Sequence, residues 1–186
     1  ETAALEYERL VNETVKATEA MAAEKDILNT SAQEYMSICN VFLADQIEKL
    51  NNEIAEALGG APVEAGKSAF AESATATEKA KKLQERVLKT VLANDVIDLG
   101  NNIRIGAWKS MTMREPQVMT DAQKKFTEVN AKLDELKAIT VQELNLKQIE
   151  ECRSAGAKYN QAMSSFLENW LKREEFGTQR NAVAEQ

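Results

Sequence analysis

Proline occurs only twice in this chain, at positions 62 and 116, and only seven glycines accompany it over 186 residues. These two residue types are the strongest local interrupters of regular structure, so their scarcity leaves long stretches with nothing to stop a helix. Aromatic residues make up only 5% of the chain, so its 44% hydrophobic share rests mainly on Ala, Leu, Val and Ile. Long helices joined by few turns are the expected result, giving an all-α fold in a single elongated domain over residues 1–186.

The apolar spacing supports this. From Leu5 to Leu58, residues such as Val11, Val15, Ile38, Phe42, Leu50 and Ile54 recur at helical intervals with charged residues on the other faces, which predicts one continuous first helix. Asn29-Thr30-Ser31 is its weak point, because short polar side chains compete for backbone hydrogen bonds and can open a turn. Gly59-Gly60-Ala61-Pro62 is the strongest break. The second helix runs from Ala65 to Arg114, and it is loosely patterned as far as about Lys82. Gly100 and Gly106 in its interior each cost about 1 kcal/mol against alanine, so they mark a close helix approach or a local distortion.

Glu115-Pro116 stops the second helix, and Pro116 opens a third. There Met119, Phe126 and Leu133 with Ala122, Val129 and Leu136 form a heptad seam. The next turn is expected at Ile139-Thr140, with Thr140 as N-cap and Glu143 in the capping-box position. In the last helix Ile149, Cys152, Gly156, Tyr159, Met163, Phe166 and Trp170 alternate by three and four and face a core, with the Met and aromatic residues read as packing.

Four segments that reverse in turn make an elongated antiparallel bundle with both termini at one end. At 1.5 Å per residue the first helix is roughly 85 Å long and the third about 35 Å. The four-helix section is therefore expected near the termini, with a two-helix hairpin or a second helical module at the far end. Ile38, Phe42 and Leu50 would lie uncovered on that hairpin, which predicts a weak homodimer.

Several functions are excluded. A net charge of −7 and a pI near 4.9 argue against a nucleic-acid partner, and Lys79-Lys81-Lys82 and Lys124-Lys125 read as solvated helix faces. The chain has no histidine, the commonest general base and metal ligand. With no nucleophile-and-base pair, ligand cluster or Gly-rich phosphate loop either, no enzyme, catalytic residue, metal or cofactor is expected. Cys39 and Cys152 lack metal-ligand spacing and read as small buried hydrophobes, with a disulfide left open. No apolar run reaches the roughly 18 to 20 residues of a membrane span. Because the chain begins and ends inside helical pattern, membrane contact is expected only through flanking segments.

The stretch from Asp98 to Pro116 carries the candidate binding residues. Arg104 follows the amides Asn101 and Asn102, lies one helical turn before Trp108 and stands four residues from Gly100. A cation, a flat apolar wall and a gap thus share one face. Stacking the four helices brings Lys16 and Arg153 within roughly 10 Å of Arg104 along the axis, with Tyr159 as a further wall. Three cations at one level suit a carboxylate, which arginine engages with two parallel hydrogen bonds, so a small organic acid is the expected ligand. Surface ion pairing of these cations is the competing reading.

Three motifs carry a family resemblance. Ala23-Glu24-Lys25-Asp26-Ile27-Leu28 followed by Glu34-Tyr35-Met36, then Asn102-Ile103-Arg104-Ile105, then Tyr159 with Phe166, are scattered over most of the chain. Together they resemble the helical periplasmic sensor domains of bacterial methyl-accepting chemotaxis receptors and related sensor kinases, most closely the helical bimodular kind. The resemblance implies a periplasmic ectodomain of an inner-membrane receptor, one that binds a small molecule between helices and passes a helix shift to the membrane. It also implies an alternative partition into six helices, with breaks after Asp26 and near Asn94-Asp95. A structural or protein-binding coiled-coil module without a small-molecule ligand is the other reading. A cation turned inward beside tryptophan with space next to it separates the two, since a coiled coil keeps its cations at flanking positions.

Overall fold

The structure, a computed structural model, describes residues 2–58 and 69–185. It has four helices, α1 (Thr2–Leu58), α2 (Ala69–Met113), α3 (Pro116–Ala138) and α4 (Glu143–Ala184), and no strand among the described residues, so the fold is all-α. The break expected at Gly59-Gly60-Ala61-Pro62 lies outside the described residues.

α1 passes through Asn29-Thr30-Ser31 without a turn, because Thr30 Oγ1 donates back to the Asp26 carbonyl at 2.9 Å and so serves the helix instead of opening it. α2 likewise continues through Asn94-Asp95, with Asn94 Nδ2 donating to Asp98 Oδ2 at 3.0 Å one turn on. The six-helix partition does not hold.

α1 packs against α2 and α4, and α3 packs against the same two helices. Cross-helix partners give the directions. Tyr35 meets Gly100 and Gly156, Arg86 meets Gln46, and Lys49 meets Asn145. Lys132 meets Asp95, and Lys137 meets Glu150. Each neighbouring pair therefore runs antiparallel. The seams read from sequence are the buried faces: Met119, Ala122, Phe126, Val129, Leu133 and Leu136 on α3, and Ile149 through Trp170 on α4.

Three expectations are corrected. Thr140 is not an N-cap; its hydroxyl donates to the Leu136 carbonyl at 2.6 Å, an acceptor left free at the end of α3, and α4 starts at Glu143 after Gln142. The segment in which all four helices share a core is not confined to the end near the termini. The α2–α3 turn comes level with Lys25 of α1, whose ammonium lies 5.8 Å from the Trp108 ring, so α1 and α4 continue past it as a pair. Phe42, in turn, is not part of an uncovered stripe. The α3–α4 turn lies near the level of Lys49, so Phe42 falls inside the shared core and is 3% exposed.

Gly100 and Gly106 mark close helix approaches. A Cβ on Gly100 would fall 2.5 Å from Tyr35 Cε1, and one on Gly106 would fall 2.6 Å from Ala122 Cβ. Gly106→Val should destabilise the protein by about 1 to 3 kcal/mol in urea denaturation. The exchange Gly106→Ala with Ala122→Gly should restore most of the stability. An unchanged midpoint for the valine variant would show that α2 and α3 do not touch there.

Candidate functional site

α2 ends in a strained turn. Arg114 has φ of 58°, the left-handed region where glycine is usual, and the Glu115 N–H closes back on the Ser110 carbonyl at 3.0 Å. The buried Ser110 Oγ donates to the Glu115 carbonyl at 2.7 Å and fixes the same turn from the inside, after which Pro116 starts α3. This places Arg114 at the mouth of a groove of about 370 Å³ between α1, α2 and α4.

The groove is built from three helices. α1 supplies Thr18, Met21, Ala22 and Lys25, α2 and its turn supply Met111 and Arg114, and α4 supplies Phe166, Trp170 and Arg173. Its apolar wall includes the edge-to-face pair Phe166 and Trp170, with ring centroids 5.9 Å apart. These two residues are buried as the α4 seam predicts, and they also bound the groove. Three cations surround this wall. Among the described residues Lys25 and Arg114 form no ion pair, whereas Arg173 is paired with Glu174. The Glu174 carboxyl is held below its ordinary range, first by the Arg173 hydrogen bond, with the Trp170 indole and Arg114 acting in the same direction against its partial desolvation. The groove therefore combines polarizable apolar surface with excess positive charge, which suits a small organic anion.

Two other features among the described residues do not offer this. A cavity of about 390 Å³ between α2 and α3 is lined by Asp95, Asp98, Glu128 and Lys132, an acidic set that repels anions. At the far end Arg86 is buried, but its guanidinium is already bonded to Gln46 Oε1 at 2.9 Å and to Glu53 Oε1 at 2.9 and 3.0 Å. That arginine fastens α2 to α1.

The residues nominated from sequence do not all converge on one site. Arg104 is exposed and donates to Asn101 Oδ1 at 3.1 Å, within its own helix. Trp108 is 48% exposed and borders the groove only through Lys25. Lys16 pairs with Glu13 on the surface, and Arg153 bonds Asn130 and Asp134 of α3. The three cations do not share a level. Gly156 sits opposite Tyr35, so Lys16 and Arg153 are separated by about 33 Å along the axis at 1.5 Å per residue. The flush-ended stacking behind the expectation fails because α1 and α4 both overrun the α2–α3 turn. Tyr159 is 1% exposed and packs in the core against Tyr35 and Phe126, so it does not wall the groove. Lys25, Arg114 and Arg173 were missed. Their one local signal was a cation, Arg114, immediately before the Glu-Pro stop.

Comparison with family models, with curated proteins and with solved structures finds no match to this chain.

Burial pushes the Tyr159 hydroxyl up to about 12 from 10.0, against a smaller opposing pull from Arg104. A raised pKa means that the folded protein holds the proton longer than the unfolded chain does. This contribution is therefore complete below pH 10 and is lost as pH rises through about 12. Stability should fall across that window by about 2 to 3 kcal/mol more in the wild type than in Tyr159→Phe, as read by urea denaturation at stepped pH. Equal losses would show that the hydroxyl is solvated.

Proposed function

We propose that this chain is the periplasmic ligand-sensing domain of a transmembrane chemoreceptor or related sensor kinase, built as an antiparallel four-helix bundle with two-helix extensions. In this reading a small organic anion binds in the groove between α1, α2 and α4. The observation that carries the reading is the convergence of Lys25, Arg114 and Arg173, from three different elements, on the wall formed by Met21, Met111, Phe166 and Trp170. Cations beside a tryptophan with open space next to them are what a ligand site needs and what a coiled-coil scaffold avoids. α1 and α4 line the groove and also run antiparallel to the end that holds both termini, so a ligand that bridges them to the α2–α3 turn biases their relative position.

The test is a thermal-shift screen against mono- and dicarboxylates, followed by calorimetry. At a hundred times its dissociation constant a ligand adds about 2.7 kcal/mol, which raises the melting temperature by about 5 to 10 °C. Arg114→Ala and Arg173→Ala should each remove charge-assisted hydrogen bonds and weaken binding about tenfold to a hundredfold, with Arg104→Ala unchanged. Loss of binding in Arg104→Ala alone would move the site to the outer face of α2. No shift with any anion would favour the scaffold reading.

A weak homodimer is also proposed, with the outward face of α2 as its surface, where Val87, Leu88 and Val91 are exposed. Sedimentation should show concentration-dependent pairing that Val91→Asp reduces. A wild-type protein that stays monomeric at millimolar concentration would end this proposal.

A further inference from the structure

Cys39 of α1 and Cys152 of α4 are the only cysteines in the chain, and the groove uses neither. They lie far apart in sequence, but the fold brings them together. Tyr35 meets Gly156 across the α1–α4 contact, and these helices run antiparallel. One turn onward along α1 and one turn back along α4 therefore reach Cys39 and Cys152 at the same level. Both thiols are free and almost wholly buried, at 1% and 0% exposure. The Cys39 thiol and burial both push Cys152 upward, in keeping with the shared level of the two residues. The contact between α1 and α4 is the most extensive between any two helices among the described residues, and the buried Ala155 beside Cys152 adds little bulk to it. A disulfide needs that closeness, with Cα atoms about 4.4 to 6.8 Å apart.

We propose that Cys39 and Cys152 are a redox modification site, a dithiol–disulfide couple that clamps α1 to α4 when a low-molecular-weight disulfide oxidises it. One cysteine, as thiolate, attacks a sulfur of the small disulfide; the S–S bond breaks, one small thiolate leaves and takes up a proton, and a mixed disulfide remains. The second cysteine loses its proton and attacks the protein sulfur of that mixed disulfide, expelling the second small thiolate. Two protein thiols give up two electrons and two protons, and the small disulfide becomes two thiols. The Cys39 thiol and burial both push Cys152 away from ionisation, so the exchange proceeds when α1 and α4 part and not in the closed core. The clamp joins the two helices that run from the groove to the terminal end, so it fixes their register against each other.

The experiment is to refold the purified chain from urea in glutathione buffers from reducing to oxidising, which gives the reagent access before the core closes. Trapped thiols are then counted and linked peptides mapped by mass spectrometry. In oxidising buffer both thiols should disappear without a glutathione adduct, the peptides holding Cys39 and Cys152 should be joined within one chain, and melting should rise by about 10 °C over the reduced form. Cys39→Ala and Cys152→Ala keep a small apolar residue in the core and should fold without that rise. Two free thiols after oxidising refolding, a lasting glutathione adduct, or bridges between chains would each overturn the proposal.

Discussion

The ring of Tyr35 fits where it does because two facing helices lack a Cβ. A methyl on Gly100 would sit 2.5 Å from Tyr35 Cε1 and one on Gly156 would sit 3.3 Å from Cε2, so the ring occupies the space both glycines leave. Its hydroxyl donates to the Val96 carbonyl of α2 at 3.3 Å, which satisfies the polar atom that the ring carries into the core. Phe126 from α3 and Tyr159 from α4 meet the ring at centroid distances of 6.3 Å, so all four helices touch one aromatic cluster. A core made of aliphatic side chains alone tolerates small slides, because such chains repack at low cost. A planar ring slotted between two glycines does not, and it sets the register from which every other level in the molecule follows.

Two charged levels flank that cluster, and they differ in kind. About 17 Å toward the α3–α4 turn, the buried Arg86 finds Gln46 and Glu53, while Lys49 bridges Asp45 and Asn145 at 2.7 Å to each. Truncating one member of such a network leaves a buried charge alone and costs about 3 to 5 kcal/mol, so it specifies which helix faces which more than it adds stability. About 15 Å the other way lies the groove, where Lys25 and Arg114 have no ion-pair partner among the described residues. In a chain with seven more acidic than basic residues, carboxylates are abundant, and most other cations take one. Charge left uncommitted beside apolar surface is what distinguishes the groove.

Much of the fold was legible in the sequence because it depends on local spacing. The three-and-four alternation from Ile149 to Trp170 and the heptads from Met119 to Leu136 are statements about one helix face, and each needs only its own helix to be right. Gly100 and Gly106 were legible for a related reason, since glycine in a helix interior is costly unless a neighbour needs the room. The groove is different. It draws on residues near positions 20, 112 and 170, and which of these share a level depends on how far each helix overruns the turns of the others. No local pattern encodes overrun. Lys16 and Arg153 were aligned with Arg104 by assuming flush ends, and the contact of Tyr35 with Gly156 removes that assumption.

Arg114 is the point where local strain and the proposed function meet. A non-glycine residue at φ of 58° costs roughly 1 to 2 kcal/mol, and glycine would close this helix end more cheaply. The turn holds the conformation with two bonds between Ser110 and Glu115, one from the backbone and one from the serine hydroxyl, and with the proline that follows. The guanidinium is thereby carried on a rigid turn of α2–α3, while Lys25 and Arg173 are carried on the two long helices that pass it. A ligand changes an equilibrium only by contacting two states differently. On the proposed reading its anionic group ties the turn to α1 and α4, so the bound energy depends on where that pair stands relative to the turn. A displacement of α1 and α4 against α2 and α3 is then the motion that binding controls, and the Tyr35 cluster about 15 Å away is the fulcrum that resists it.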